Sequence, residues 1–267
     1  MNNVILKYLR NKGYDTVSTD YYNFINIWEA WWKNQVEFHK YHDQTGKERK
    51  MFSLGMAKRL AEDWSSILFT ERDEIATEAK TKDQTEVNNK YLNKQLKILK
   101  VYKDLPVAIE KAMAMGTAGA VIRVKHAKVD KQGRLFADDR TKLDVIYLEA
   151  SQIVPLKVEH GVIIDAAFVS ENTVQDKKEY YVEIHQLKYN EGQKKEIYEI
   201  SNNYLDENGN EIEKEGIAKT YTINSNTPLF SILKPAIANP LEVQYNTNGM
   251  GFSIYGTAID QLIACDI

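Results

Sequence analysis

A single cysteine, Cys265, is all the thiol chemistry this chain contains. An internal disulfide needs two thiols and a thiolate metal cluster needs more, so both are excluded, and a reducing cytoplasmic site of assembly fits. Long apolar runs are missing as well. The longest uncharged stretch near the middle, Ala112 to Ile122, is about half the ~20 residues that span a bilayer. The start, MNNVILKYLRNKGYD, is interrupted by lysine and too short in its apolar part for a secretion signal. Nor is there a basic surplus. Net charge is −3, with 18 Lys and Arg against 15 Asp and Glu over residues 1–105, and 17 against 23 beyond. A protein that grips DNA by its phosphates carries excess Lys and Arg, so at most a loose hold on nucleic acid is expected here. The chain has no G-x-S-x-G element, no P-loop and no cysteine–histidine pair in a recognisable context. No catalytic, cofactor-binding or metal-ligating residue is therefore assigned, and no enzyme is expected.

What is present divides in two. Over residues 1–117 the apolar period is helical. Tyr21, Phe24, Ile25, Trp28, Trp32 and Val36 form one stripe, with Thr19 or Asp20 as N-cap. Met56, Leu60, Trp64 and Leu68 form a second stripe, capped by Ser53. A third helix is predicted over Glu86 to Tyr102, with Leu92, Leu96 and Leu99 inward and Lys90, Lys94 and Lys97 opposite. A short helix after Pro106 ends at Gly116. Trp28, Trp31 and Trp32 cover more circumference than one core contact needs, which suits either a buried helix or a subunit interface.

From Ala118 the period becomes alternating. Strands are predicted in VIRVKHAKV, with Ile122 and Val124 on one face, Arg123 and Lys125 on the other, and a bulge near His126. Others are predicted in LDVIYLEA, IVPLKVEHGVIIDAAFV, KEYYVEIHQLKY, KKEIYEISNNYL and KTYTI. Turns fall at Asp130–Gly133, His160-Gly161 and Asn208-Gly209. KTYTI reads as the last strand. Residues 225–252 then read as a connecting arm rich in proline, with GMGFS as a flexible hinge and Ser253 capping a final helix over 253–267. The class is α+β: N-terminal helices, a mainly antiparallel sheet over 118–224, the arm and a C-terminal helix.

Two weaker signals have ordinary explanations. His39 and His42 are three apart beside Glu37 and Asp43, a spacing that can share a metal, but a solvated helix end accounts for them better than a zinc site. Gly116 and Gly119 follow a helix and precede a strand, the reverse of a phosphate loop, so they mark a helix stop.

Two stretches resemble a known family. Lys58, Ala61, Trp64 and Leu68-Phe69 match an early helix of the form Lys-x-x-Ala-x-x-Trp-x-x-x-Leu-(Leu/Phe). Phe230, Lys234, Pro235, Ala238-Asn239, Gly251, Ser253, Ile254, Tyr255, Ala258, Ile259, Asp260 and Leu262 match a later arm and helix. Both patterns, in this order, are similar to portal proteins of tailed phages, of the type in siphophages of Gram-positive bacteria. The resemblance implies a structural subunit of a head-tail connector: a homo-oligomeric, typically dodecameric ring at the capsid vertex of the virion, assembled in the host cytoplasm. Double-stranded DNA passes through such a ring without sequence-specific contact. Capsid and scaffolding proteins surround it, and the terminase large subunit and head-completion proteins dock on it; no membrane is involved. Because the ATPase belongs to the terminase, a portal needs no nucleotide site. On this resemblance residues 1–250 correspond to the wing and 253–267 to the start of the stem helix. The rest of the stem, the clip, the tunnel loop and the crown have no counterpart here.

Tyr255, Ile259, Leu262 and Ile263 would then form a stem and oligomer interface, with Lys90, Lys94 and Lys97 facing DNA. The apolar spacing of the last residues continues without a cap to Ile267, so the last turn is expected to be frayed or displaced. Two other readings stand beside this one: a stand-alone interaction module or prophage remnant without conduit activity, and a divergent enzyme using His39, His42 or the glycine-rich elements.

Overall fold

The computed structural model describes residues 3–70, 75–174, 176–190, 195–225, 227–245, 247 and 249–266. About 35% of the chain is helical and 32% strand. Neither type is an accessory to the other, and helices precede antiparallel sheets, so the class is α+β.

The helical layer opens with α1 (Asn3–Asn11) and α2 (Thr19–Trp32). Helix α2 is the hub of the core. Tyr21, Tyr22, Ile25, Trp28 and Trp31 are all buried, so two of the three clustered tryptophans serve the interior. The third, Trp32, is half-buried and donates its Nε1–H to Glu110 at 2.8 Å. The cap is Ser18, whose Oγ accepts from the Asp20 amide, one residue earlier than predicted. The helix ends at Trp32 because Asn34 turns left-handed, with φ +54°, which leaves Val36 outside it.

A short 3-10 turn over Glu37–His39 then enters a small exposed hairpin, β1 (Lys40–His42) and β2 (Glu48–Lys50). His39 and His42 are therefore not on a helix. Helix α3 (Met56–Thr70) follows, with an inner face opposite in character to the predicted one. Ala57, Ala61 and Ser65 are buried, whereas Trp64 and Leu68 are each about half exposed. Small side chains allow close approach, and Ser65 Oγ donates to Pro106 O at 2.7 Å. Ser53 Oγ accepts from the Gly55 amide, so it organises the approach to the helix without capping it.

Helix α4 (Lys82–Ile98) and helix α5 (Val101–Met115) are separated by Lys100 in the left-handed region. The break thus falls before Pro106, which lies inside α5, and not after it. Gly116 ends α5 with φ +76°, as its position predicts.

Strand β3 (Ala118–Lys125) comes next, then a hairpin of β4 (Lys128–Val129) and β5 (Leu135–Phe136), and β6 (Lys142–Glu149). His126, with φ +60°, separates β3 from β4. The burial of β3 does not follow the predicted faces: Val121 is buried, Arg123 and Val124 are both half-buried, and Ile122 and Lys125 are both exposed. The remaining strands are β7 (Ile153–Glu159), β8 (Val162–Val174), β9 (Lys177–Asn190), β10 (Lys195–Leu205), β11 (Glu211–Ile212), β12 (Thr220–Ile223) and β13 (Phe230–Leu233). Two short helices, α6 (Glu242–Tyr245) and α7 (Ile259–Cys265), follow among the described residues.

The large sheet is an antiparallel meander in the order β11-β10-β9-β8-β7, with β12 also paired to β10. Its β7–β8 turn uses His160 and Gly161, both at positive φ, as a two-residue hairpin with right-handed strand twist requires. The smaller sheet has the order β13-β3-β6. Strand β13 corrects the expectation of a strandless arm: Phe230 pairs with Val121 and Leu233 with Ala118. One buried cluster joins α1, α2, α3, α5, both larger sheets and residues 250–262.

Candidate assembly surfaces

The stretch from Lys234 to Tyr255 is tied down by polar contacts at several points. Lys234 extends from the end of β13 and donates to two carbonyls, Gly161 O at 3.0 Å and Gly249 O at 2.9 Å. It thereby fastens the β7–β8 hairpin to the loop before α7. Asn239 donates to Thr247 Oγ1 and to Met250 O, and accepts from the Leu241 amide. The Gly251 amide donates to Thr117 Oγ1 at 2.9 Å, and its carbonyl accepts from the Tyr21 hydroxyl. Tyr255 reaches back to α2 and donates to Trp28 O at 2.8 Å.

GMGFS is therefore not a hinge. Gly251, Phe252 and Ser253 are buried, Phe252 stacks edge-on against Trp28 at 4.9 Å, and Gly251 lies against Gly116 with no room for a Cβ. Helix α7 starts at Ile259 after two turns, with Ala258 at its cap position in place of Ser253. Lys234 makes a direct test of the clasp. Lys234→Met removes the cation and leaves two carbonyls without their donor, so stability should fall by ~1–3 kcal/mol in urea unfolding; an unchanged midpoint would show the clasp to be ornamental.

The predicted interface residues of the final helix are largely consumed inside the chain. Tyr255 and Leu262 are buried, and Ile259 and Ile263 are half-buried against the same core. The end of α7 is held as well, contrary to the expected fraying. Asp266 Oδ2 meets His39 Nε2 at 2.8 Å and Ser53 Oγ at 3.0 Å, and Oδ1 accepts the Leu54 amide. A carboxylate only accepts, so His39 carries its proton on Nε2. Burial raises the Asp266 carboxyl, but these donors outweigh it and hold it below its ordinary value. Ile267 lies outside the described residues. His39 is thus a fully buried clamp residue, 5.6 Å from Trp31, while His42 is exposed. The solvated-helix-end reading fails for His39. Among the described residues no group of three or more His, Cys, Asp or Glu side chains is placed to hold a metal.

A second polar cluster joins the two sheets. Glu183 on β9 pairs with Arg123 on β3 and accepts from His185 Nε2 at 3.0 Å. His185 Nδ1 meets the Tyr198 hydroxyl of β10 at 2.7 Å. Arg123 also lies over the Tyr181 ring at 5.6 Å. His185 and Tyr198 are fully buried, and Phe168 and Phe230 close over the imidazole. The group looks like a relay, but its members are occupied with one another, and it acts as a strut from β10 through β9 to β3. Burial raises the Glu183 carboxyl, and His185 with Arg123 more than offsets this, leaving it below its ordinary value.

Outside these ties, the helical layer exposes much apolar surface. Phe52, Trp64, Ile67 and Leu68 lie on or beside α3, and Val87, Tyr91 and Ile98 line α4, which buries no residue fully. Lys90, Lys94 and Lys97 are exposed on the same helix. No helix among the described residues is long and apolar enough to cross a membrane. Sequence reasoning found Lys234, Asn239, Gly251 and Tyr255 through their pattern. It placed Tyr21 in a helical stripe and Gly116 at a helix stop without their contacts to this stretch, and it missed Thr117 and Asp266, because nothing local marks a contact whose two residues lie a hundred or more positions apart. Comparison with protein-family models gives no match, and comparison with curated proteins gives none.

Proposed function

We propose that this chain is a structural, non-enzymatic subunit of a portal-type ring, corresponding to the wing and the approach to the stem. The observation that carries the reading is the exposure of large apolar side chains on both α3 and α4, with Trp64 half exposed and Val87 and Tyr91 more so. Soluble chains rarely leave such a surface uncovered unless another subunit covers it. The resemblance supplies the kind of assembly. Its motif residues Lys234, Asn239, Gly251 and Tyr255 are architectural ties, which suits a protein whose product is a shape. In this reading the ring meets capsid, scaffolding, terminase large subunit and head-completion proteins, and DNA slides past a weakly charged surface.

The test is electron microscopy and light scattering of the purified chain, with binding to random-sequence duplex DNA. Rings with an open centre, and DNA affinity weaker than ~1 µM at physiological salt, are expected. A particle that stays monomeric at every concentration overturns the reading in favour of an interaction module. One observation favours that second reading: Tyr255 and Leu262 are already buried against this chain's own core, so they are not presented to a neighbour in this arrangement.

A further inference from the structure

Helix α4 carries two apolar stripes where a surface helix needs one. Leu92, Leu96 and Leu99 are half-buried toward the helical layer. Val87, Tyr91 and Ile98 recur at helical spacing on the other side and are 68%, 61% and 59% exposed. Lys90, Lys94 and Lys97 run beside that outer stripe, all exposed, and none of the three appears in an ion pair among the described residues. The outer face is thus a ridge of apolar residues edged by cations.

The same chain holds a surface of the opposite kind. Between α3 and α5 lies an open groove of about 480 Å³ with Phe69, Pro106 and Val107 among its lining residues and Glu62 and Glu110 as its charged members. Trp64 and Ile67 stand exposed on α3 nearby. The groove mixes Phe69, Pro106 and Val107 with Ser65, Ser66 and two carboxylates; the ridge is apolar and edged by three ammonium groups.

We infer that the α4 ridge of one copy docks in the α3–α5 groove of a second copy, with Lys90, Lys94 and Lys97 toward Glu62 and Glu110. Charge complementarity selects this occupant: both charged residues of the groove lining are carboxylates, so an acidic partner helix or DNA would be repelled, whereas the lysine-edged ridge adds cations to the partners that Glu62 and Glu110 already have in Lys58 and Trp32. Ridge and groove are different surfaces, so the contact can repeat from copy to copy as well as pair two copies reciprocally. Each copy offers both, and where the contact is not reciprocated association runs head to tail until it closes into a ring or forms a filament. The inference deepens the ring reading by naming the contact, and relies on that reading only for closure.

The charges can be exchanged. Glu62 and Lys94 are both exposed, so Glu62→Lys and Lys94→Glu should each leave the circular dichroism and melting of the monomer unchanged. Each alone should weaken self-association by roughly tenfold or more, and together they should restore most of the loss. An independent arm uses Cys265→Ser as background with Tyr91→Cys and Val107→Cys. Oxidation should then give a ladder of linked copies that neither cysteine gives alone. Oligomers indifferent to the charge exchange and unlinked by the cysteine pair overturn the inference and leave the ring reading standing. Open filaments or dimers that obey the exchange keep the inference and sink the ring. If Lys94→Glu abolishes DNA binding while self-association is untouched, the lysines face DNA, and the proposed contact is wrong.

Discussion

Gly251→Ala should lower the stability of this protein by ~4 kcal/mol, a loss at the extreme end for one methyl group. An added Cβ would fall inside the envelope of Gly116 O and only 2.7 Å from Lys234 Cβ. Neither neighbour can yield cheaply. Gly116 is backbone at the end of α5, fixed at φ +76°. Gly251 itself is fixed by the Thr117 hydroxyl on its amide and the Tyr21 hydroxyl on its carbonyl. The methyl group must therefore separate the arm from the helical layer, and Phe252 and Tyr255 leave the core with it. Gly133→Ala is the control: that glycine has φ +76° but nothing within 4 Å, so only the left-handed strain of ~1–2 kcal/mol applies. Urea midpoints at unchanged slope read both. Equal costs at the two positions would mean that the close approach contributes nothing.

The second large effect belongs to the strut between the sheets. Glu183→Ala leaves the partly buried Arg123 guanidinium without its carboxylate, with only the Tyr181 ring beside it, removes the acceptor of His185, and should cost ~3–5 kcal/mol. Replacing both ions, Arg123→Met with Glu183→Leu, should cost clearly less than Glu183→Ala, because no lone charge remains buried. The pH dependence follows from the direction of the shift. Glu183 sits below its ordinary value near 4.5 in the folded chain, so it binds a proton more weakly there than when unfolded. Its contribution is fully present above that ordinary value and is lost as pH falls through the depressed folded one. Wild type should therefore lose stability below about pH 4.5 more steeply than the double variant. Parallel acid profiles for the two proteins would remove Glu183 from the account.

Much of this fold could be read from local chemistry. The His160-Gly161 turn, the Asp130–Gly133 turn and the Gly116 stop each depend on residues that dictate φ within a few positions. The long strands β8 to β10 announce themselves by alternation. What stayed hidden was decided at a distance. Strand β13 has four residues between prolines and exists because β3 offers it an edge. Helix α3 inverts the usual rule that large apolar residues face in: Ala57, Ala61 and Ser65 are its buried residues, and Ser65 meets Pro106 of α5. Arg123 looked like a solvent-facing residue until Glu183 arrived from another sheet. His39 read as solvated because its sequence neighbours are polar, whereas its partner Asp266 is 227 positions away. The candidate surfaces were half legible: the lysines of α4 were visible as a stripe, but the groove needed α3 and α5 side by side.

The pairing of β13 with β3 also sets a timetable for synthesis. Strand β3 is made early, yet the partner for its open edge follows about 110 residues later, which at ~5–20 residues per second leaves that edge waiting for roughly 5–20 s on each ribosome. During that interval Val121 and the backbone of β3 are available to any other extended chain nearby. Clustered nascent chains on one message are therefore the place where this protein is most exposed to pairing with the wrong copy.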